Sequence, residues 1–138
     1  VGSNEVILID THVALWIATN DPALGTKSRA LVQQAVTDGT LAISAISFWE
    51  IALLIARRRF ETTKTATQLR TEMADTSIVE LPLNGDISIR AVELRHLHGD
   101  PADRFILATA IAHDAALLTA DKALLRWRHP IKRHDAAK

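Results

Sequence analysis

A chain of 138 residues has the length of one domain, and folding at that size buries roughly 68–70% of the surface that the unfolded chain exposes. The chain has no cysteine, which excludes a disulfide scaffold, thiolate zinc sites and cysteine catalysis and fits a reducing cytoplasm. Sixteen Lys and Arg balance sixteen Asp and Glu, and a net charge of zero argues against a protein that coats nucleic acid non-specifically.

Val1-Gly2-Ser3-Asn4 lacks an initiating Met and reads as a remnant outside the fold, so residues 1–138 are read as a single α/β domain. No signal peptide opens the chain, and no apolar run reaches the ~20 residues of a membrane span. Glu5-Val6-Ile7-Leu8-Ile9-Asp10 is a continuous aliphatic run, the pattern of a strand buried on both faces. Thr11 offers an N-cap for a helix to about residue 19, which Asn20-Asp21-Pro22 breaks. A second helix fits residues 27–37, closed by Asp38-Gly39. A short strand follows at 41–43, and then a helix capped by Ser44 or Ser47 that runs to about residue 59. Residues 65–75 read as helix, 78–81 as a strand ended by Pro82, and 86–97 as helix. Gly99-Asp100-Pro101 turns into a helix over 102–113, with Asp100 as cap and Pro101 in the first position. A strand at 116–119, a short helix from Asp121 to Trp127 and an edge strand at 131–132 complete the chain. Strands alternating with helices predict a short, mostly parallel central sheet covered on both faces, an α/β/α arrangement. Ligands gather beyond the carboxyl ends of such strands, where Asp10 and Asp121 stand.

The zero charge is an average over unlike segments. Residues 1–56 carry −3, 57–70 carry +4, 71–121 carry −6, and 122–138 carry +5. Four acids are hard to explain by solubility. Asp10 ends an aliphatic strand, with a helix cap as the plain alternative. Glu50 sits in Phe48-Trp49-Glu50-Ile51-Ala52-Leu53-Leu54 with no cation at i±3 or i±4, so it faces solvent or binds a cation. Asp103 follows the Asp100 cap, where an acid favours the helix dipole by about 0.3–1 kcal/mol. Asp121 is another possible cap. Brought to one mouth, carboxylates repel by roughly 3–4 kcal/mol per close pair at an effective dielectric near 20, and a divalent cation relieves that repulsion. Oxygen-only ligands favour Mg²⁺ or Mn²⁺ over Zn²⁺, and such a site suits phosphodiester hydrolysis by activated water.

Ile9-Asp10-Thr11-His12, Ser44-Ala45-Ile46-Ser47-Phe48-Trp49-Glu50-Ile51, Gly99-Asp100-Pro101-Ala102-Asp103-Arg104 and Leu118-Thr119-Ala120-Asp121 resemble the successive motifs of PIN-domain proteins. The closer resemblance is to VapC-type toxins of bacterial toxin–antitoxin pairs, and it spreads from Glu5 to about His134. It implies that Asp10, Glu50, Asp103 and Asp121 bind Mg²⁺, with Mn²⁺ as a substitute, and activate water. It assigns Thr119 a hydrogen bond within the site and Arg104 a supporting role, either orienting a carboxylate or pairing on its helix. It also implies a PIN-like fold, endoribonuclease activity on an RNA substrate, a homodimer, and neutralisation by a cognate antitoxin whose tail enters the groove. An acidic mouth would attract a basic tail, with Arg standing in for the metal.

Arg57, Arg58 and Arg59 either cap the carboxyl end of their helix or attract phosphate, and Arg126 and Arg128 flank Trp127 in a pattern that suits RNA. Trp16 and Trp49 could stack bases but read as core, and His12, beside Asp10, could contact substrate but reads as a surface or capping residue. Two other functions fit parts of the pattern. A haloacid-dehalogenase-type phosphatase also ends its first strand in Asp but wants a second Asp where this chain has His12. A non-catalytic PIN-like module binding RNA or protein would not need all four acids.

Overall fold

The computed structural model describes residues 5–138, and the four-residue start lies outside the described residues. Five strands form one sheet: β1 (Ile7–Ile9), β2 (Leu41–Ser44), β3 (Val79–Leu81), β4 (Ala116–Thr119) and β5 (Arg133–Asp135). Their order is β3-β2-β1-β4-β5, and every pairing is parallel. The helices are α1 (Thr11–Thr19), α2 (Thr26–Asp38), α3 (Ile46–Ala56), α4 (Ala66–Asp75), α5 (Gly85–Glu93), α6 (Pro101–Ala112) and α7 (Lys122–Arg126).

The period of two along the strands divides the core. Ile7, Ile9, Leu41, Ile43, Ala116 and Leu118 point to one face, where they meet Val13, Val32, Ile51 and Met73 from α1 to α4. Leu8, Ala42 and Leu117 point to the other and pack on Ile106, Leu107 and Ala110 of α6 and Leu124 of α7. A smaller cluster of Ile87, Ala91 and Ala108 fastens α5 to α6. The result is the three-layer α/β/α arrangement expected from the alternation of elements.

The topology chooses the place of the site. β1 is central, and the chain leaves it toward β2 on one side and reaches β4 on the other. Ile9 pairs with both Ile43 and Leu118, so the segments after β1, β2 and β4 emerge together at one edge of the sheet. A parallel sheet opens a crevice at such a reversal of strand order.

Several local expectations are corrected. The last strand is Arg133–Asp135, one step beyond the aliphatic Ile131, because register with Leu117, Leu118 and Thr119 decides it. Thr11 is the first helical residue, and Asp10 is the cap. The N-cap of α3 is Ala45, which makes no side-chain cap bond, while Ser44 Oγ just before it accepts the Ile46 amide at 3.3 Å and Ser47 lies within the helix, which ends at Ala56. α5 stops at Glu93, where the carbonyls of Ala91 and Leu94 accept from the Arg104 guanidinium instead of from a continuing helix. Trp49 is 49% exposed: the buried face of α3 runs through Ser47 and Ile51 and leaves the indole outside. Trp127, read as a candidate RNA contact, is only 6% exposed and stacks on the His129 ring at 4.6 Å.

Candidate active site

Asp10 leaves β1 buried, at 7% exposure, and both of its oxygens are engaged. Oδ1 accepts the Val13 amide at 2.9 Å, which starts α1, and Oδ2 accepts the hydroxyl of Thr119 at the end of β4. Thr119 Oγ1 accepts in turn the Asp121 amide at 3.1 Å, so one buried hydroxyl links the ends of two adjacent strands. The cap and the functional reading of Asp10 are therefore compatible, because one oxygen serves each. Thr11 donates its hydroxyl to Ser47 Oγ at 2.9 Å in a buried bond that ties α1 to α3, the helix that carries Glu50.

Asp10, Glu50, Asp103 and Asp121 line one cleft of about 290 Å³, together with Thr11, His12, Trp16, Asp100 and Ala120. The four acids come from the loop after β1, from α3, from α6 and from the cap of α7. Asp121 Oδ1 accepts the Ala123 and Leu124 amides at 2.8 and 3.2 Å. Asp100 caps α6 by accepting the Asp103 amide at 3.1 Å. Asp103 is half-buried, and its Oδ2 lies 3.3 Å from His98 Nε2.

Electrostatics record the crowding. Burial, then the charges of Asp100, Asp121, Glu50 and Asp10, push the Asp103 carboxyl up to about 7. Burial also holds Asp10 above its ordinary value; the Thr119 and Val13 bonds and His12 act against this, while Glu50 adds to it. Carboxylates rarely gather in this way unless a cation offsets them. Among the described residues, no three acidic or imidazole groups already close on a single point as a complete cage. The donors are nonetheless all oxygen and all face one cleft. That set fits a small, hard cation that keeps several waters and takes one or two carboxylates directly.

Other residues fall outside the cleft. Arg57, Arg58 and Arg59 are exposed at the carboxyl end of α3, with Arg57 as its C-cap. Arg126 and Arg128 are exposed around α7. Arg104 neither orients a carboxylate nor pairs on its helix. Its guanidinium donates to the carbonyls of His98, Ala91, Leu94 and Leu97 at 2.8–3.2 Å, which ends α5 and folds the following loop around α6. Sequence reasoning passed over His98 and gave Trp16 and His12 their plainer roles, yet all three meet the site. Trp16 lines the cleft although it stands in an apolar helix, His12 faces the cleft, and His98 meets Asp103 from a loop whose course depends on Arg104. Only the proximity of His98 to Asp103 in sequence hinted at the last.

Residues 7–129 match the family model described as PIN domain. Over 125 residues the chain is 32% identical to Ribonuclease VapC22 of Mycobacterium tuberculosis, spanning 90% of this chain and 93% of that protein. The chain belongs to the PIN-domain family. Solved structures share this PIN-domain fold at low identity. VapBC2 from Rickettsia felis, bound to a DNA fragment from its promoter, superposes with a TM-score of 0.69 at 17% identity, covering 94% of this chain and 98% of that one. DNA-bound VapBC from Salmonella typhimurium gives 0.69 at 14% identity, over 95% and 98%. The clustered acids thus sit in a PIN domain whose curated relative is named a ribonuclease.

Proposed function

We propose that this PIN-domain chain is a metal-dependent endoribonuclease and the toxin of a toxin–antitoxin pair. The observation that carries the proposal is the convergence of Asp10, Glu50, Asp103 and Asp121 on one cleft, where burial and then the neighbouring acids push the Asp103 carboxyl up to about 7. These four carboxylates would hold Mg²⁺, or Mn²⁺ in its place. When bound, such an ion acidifies a water, orients it on phosphorus and stabilises the leaving oxygen.

The protein's own part is set by its contacts. Asp10 is fixed at both oxygens and presents a rigid charge to the cleft. Thr119 keeps that carboxylate and the Asp121 loop in register. Glu50 is set in place by α3, which the Thr11–Ser47 bond secures. Asp103 lines the cleft with its Oδ2 3.3 Å from His98 Nε2, so it would be placed to hold the ion or to take a proton from the attacking water, and His98 would favour its ionised form.

The phosphatase reading loses support because position 12, where a second acid would act, carries an exposed His. The non-catalytic reading leaves the cost of the acid cluster without a purpose. The relatives in complexes named VapBC support a cognate antitoxin, and the acidic cleft suits an arginine-bearing tail. Among the described residues no helix is long and apolar enough to cross a membrane. Homodimerisation and a cytoplasmic location belong to the same proposal, and sedimentation of the purified chain reads the first. The functional test compares wild-type protein with Asp10→Asn on RNA in Mg²⁺. Cleavage by the wild type alone supports the assignment, and equal cleavage by both overturns it.

A further inference from the structure

A larger cleft, of about 580 Å³, lies between α5 and the segment after α7, lined by Arg90, Arg95, His96, Trp127, Arg128 and His129 among others. It shares His96, Trp127 and Arg128 with a groove of about 340 Å³ that adds Ala123 and Arg126 and contains no acid. Ala123 belongs to the first turn of α7, whose cap is the active-site Asp121. The acid cleft thus holds the cap of α7, the groove holds two residues of that helix, and the basic cleft holds the segment that follows it. From Asp121 to Arg126 the helix axis advances about 8 Å.

The arginines of this region divide into two kinds. Arg104 and Arg133 are consumed by the scaffold: Arg104 binds four carbonyls of the 91–98 segment, and Arg133 binds those of Leu124, Trp127 and His129. The Trp127 indole N–H donates to the Arg95 carbonyl at 2.7 Å and locks the two loops together. Arg90, Arg95, Arg126 and Arg128, in contrast, are exposed, and among the described residues their side chains make no ion pair or hydrogen bond. Asp86 and Glu93 line the α5 side of the larger cleft, but none of these arginines is paired with them. Burial, and then Arg133 and Arg90, hold the His129 imidazole below its ordinary value. Rigid loops that hold unpaired guanidinium groups beside a nuclease cleft have the chemistry of a phosphate track.

We propose that this basic cleft is a second RNA site, which takes the phosphate backbone of the single strand flanking the bond cut in the acid cleft. The inference rests on the ribonuclease reading and deepens it. Trp127 is buried beneath His129 and cannot stack on a base, so the site grips backbone and contributes affinity without sequence preference. Arg95, Arg126 and Arg128 are its phosphate contacts, and Arg104 is a positioning residue that shapes the loop carrying Arg95.

The test measures binding of a 20-nucleotide single-stranded RNA to Asp10→Asn protein over a range of salt. Adding Arg95→Gln, Arg126→Gln and Arg128→Gln to that background should weaken binding at least tenfold. It should also lower the salt slope by about 0.7 for each phosphate that is no longer neutralised, equally on poly-U and poly-A. A matched set, Lys27→Gln, Lys64→Gln and Lys132→Gln, removes the same charge elsewhere and should change affinity less than twofold. Equal losses from the two sets, or an unchanged slope in the arginine set, overturn the proposal. So does a loss confined to an acidic poly-aspartate peptide, which would assign the cleft to a protein partner. Wild-type protein that binds RNA through these arginines yet never cuts it would overturn the nuclease reading and leave the binding site standing.

Discussion

Replacing Asp103 with an amide, Asp103→Asn, should stabilise the metal-free protein while abolishing its activity. The side chain ordinarily ionises near 3.8, and in the folded chain it does so at about 7. Between those values the folded protein holds a proton that the unfolded chain has released, so stability falls as pH rises from about 4 to about 7 and then levels off. At 1.36 kcal/mol per pH unit the loss has a ceiling of about 4 kcal/mol. Partial exposure of Asp103 to solvent screens this to about 1–2 kcal/mol. The amide cannot ionise, so the variant should lose that slope, match the wild type near pH 4 and exceed it at pH 8. Scanning calorimetry in EDTA should show a gain at pH 8 of about 3–8 °C for a chain of this size. Added Mg²⁺ should then raise the wild type more than the variant, because only the wild type regains a charge to pair with the ion. A variant that melts at or below wild type at pH 8 in EDTA, with the same pH slope, refutes the claim that a charge on Asp103, buried among like charges, opposes folding.

Single contacts yield further expected outcomes. Thr119→Val strips the buried Asp10 carboxylate of its hydroxyl partner and should cost about 2–3 kcal/mol in urea denaturation, with loss of RNA cleavage. Arg104→Ala leaves four carbonyls without their donor; amide exchange in residues 94–98 should rise sharply while β1 and β4 stay protected, at about 2–4 kcal/mol of stability. Leu117→Ala opens a cavity between β4 and α6 and should cost about 2–5 kcal/mol with little change in the pH dependence.

The core strands and the acids were legible in the sequence, and the reasons are physical. Aliphatic runs such as Ile7-Leu8-Ile9 and Ala116-Leu117-Leu118 are buried on both faces, which leaves few other places for them. Asp10 and Asp121 stood out because a parallel sheet gathers the residues just past its strand ends, and Glu50 because a lone carboxylate in an apolar helix needs a reason. The misreadings share a different cause. Trp127 looked exposed beside Arg126 and Arg128, but side chains in an irregular segment obey no period, and the indole found the Arg95 carbonyl across 32 residues. The end of α5 and the place of His98 depend on Arg104, whose four carbonyl partners no local pattern announces. The balance of charge has acquired a spatial meaning: acids crowd one cleft, and unpaired arginines border the groove beside it.

In the proposed mechanism the four carboxylates prepare a metal-activated water to attack phosphorus, with no part for the 2′-hydroxyl of the RNA. The measurement is cleavage of a strand carrying a single 2′-deoxy nucleotide at the wild-type cutting position, in Mg²⁺ and in EDTA. This mechanism predicts cutting at that position in Mg²⁺, none in EDTA, and none by Asp10→Asn under either condition. Cleavage that survives EDTA, or that disappears when the 2′-hydroxyl is removed, would contradict it.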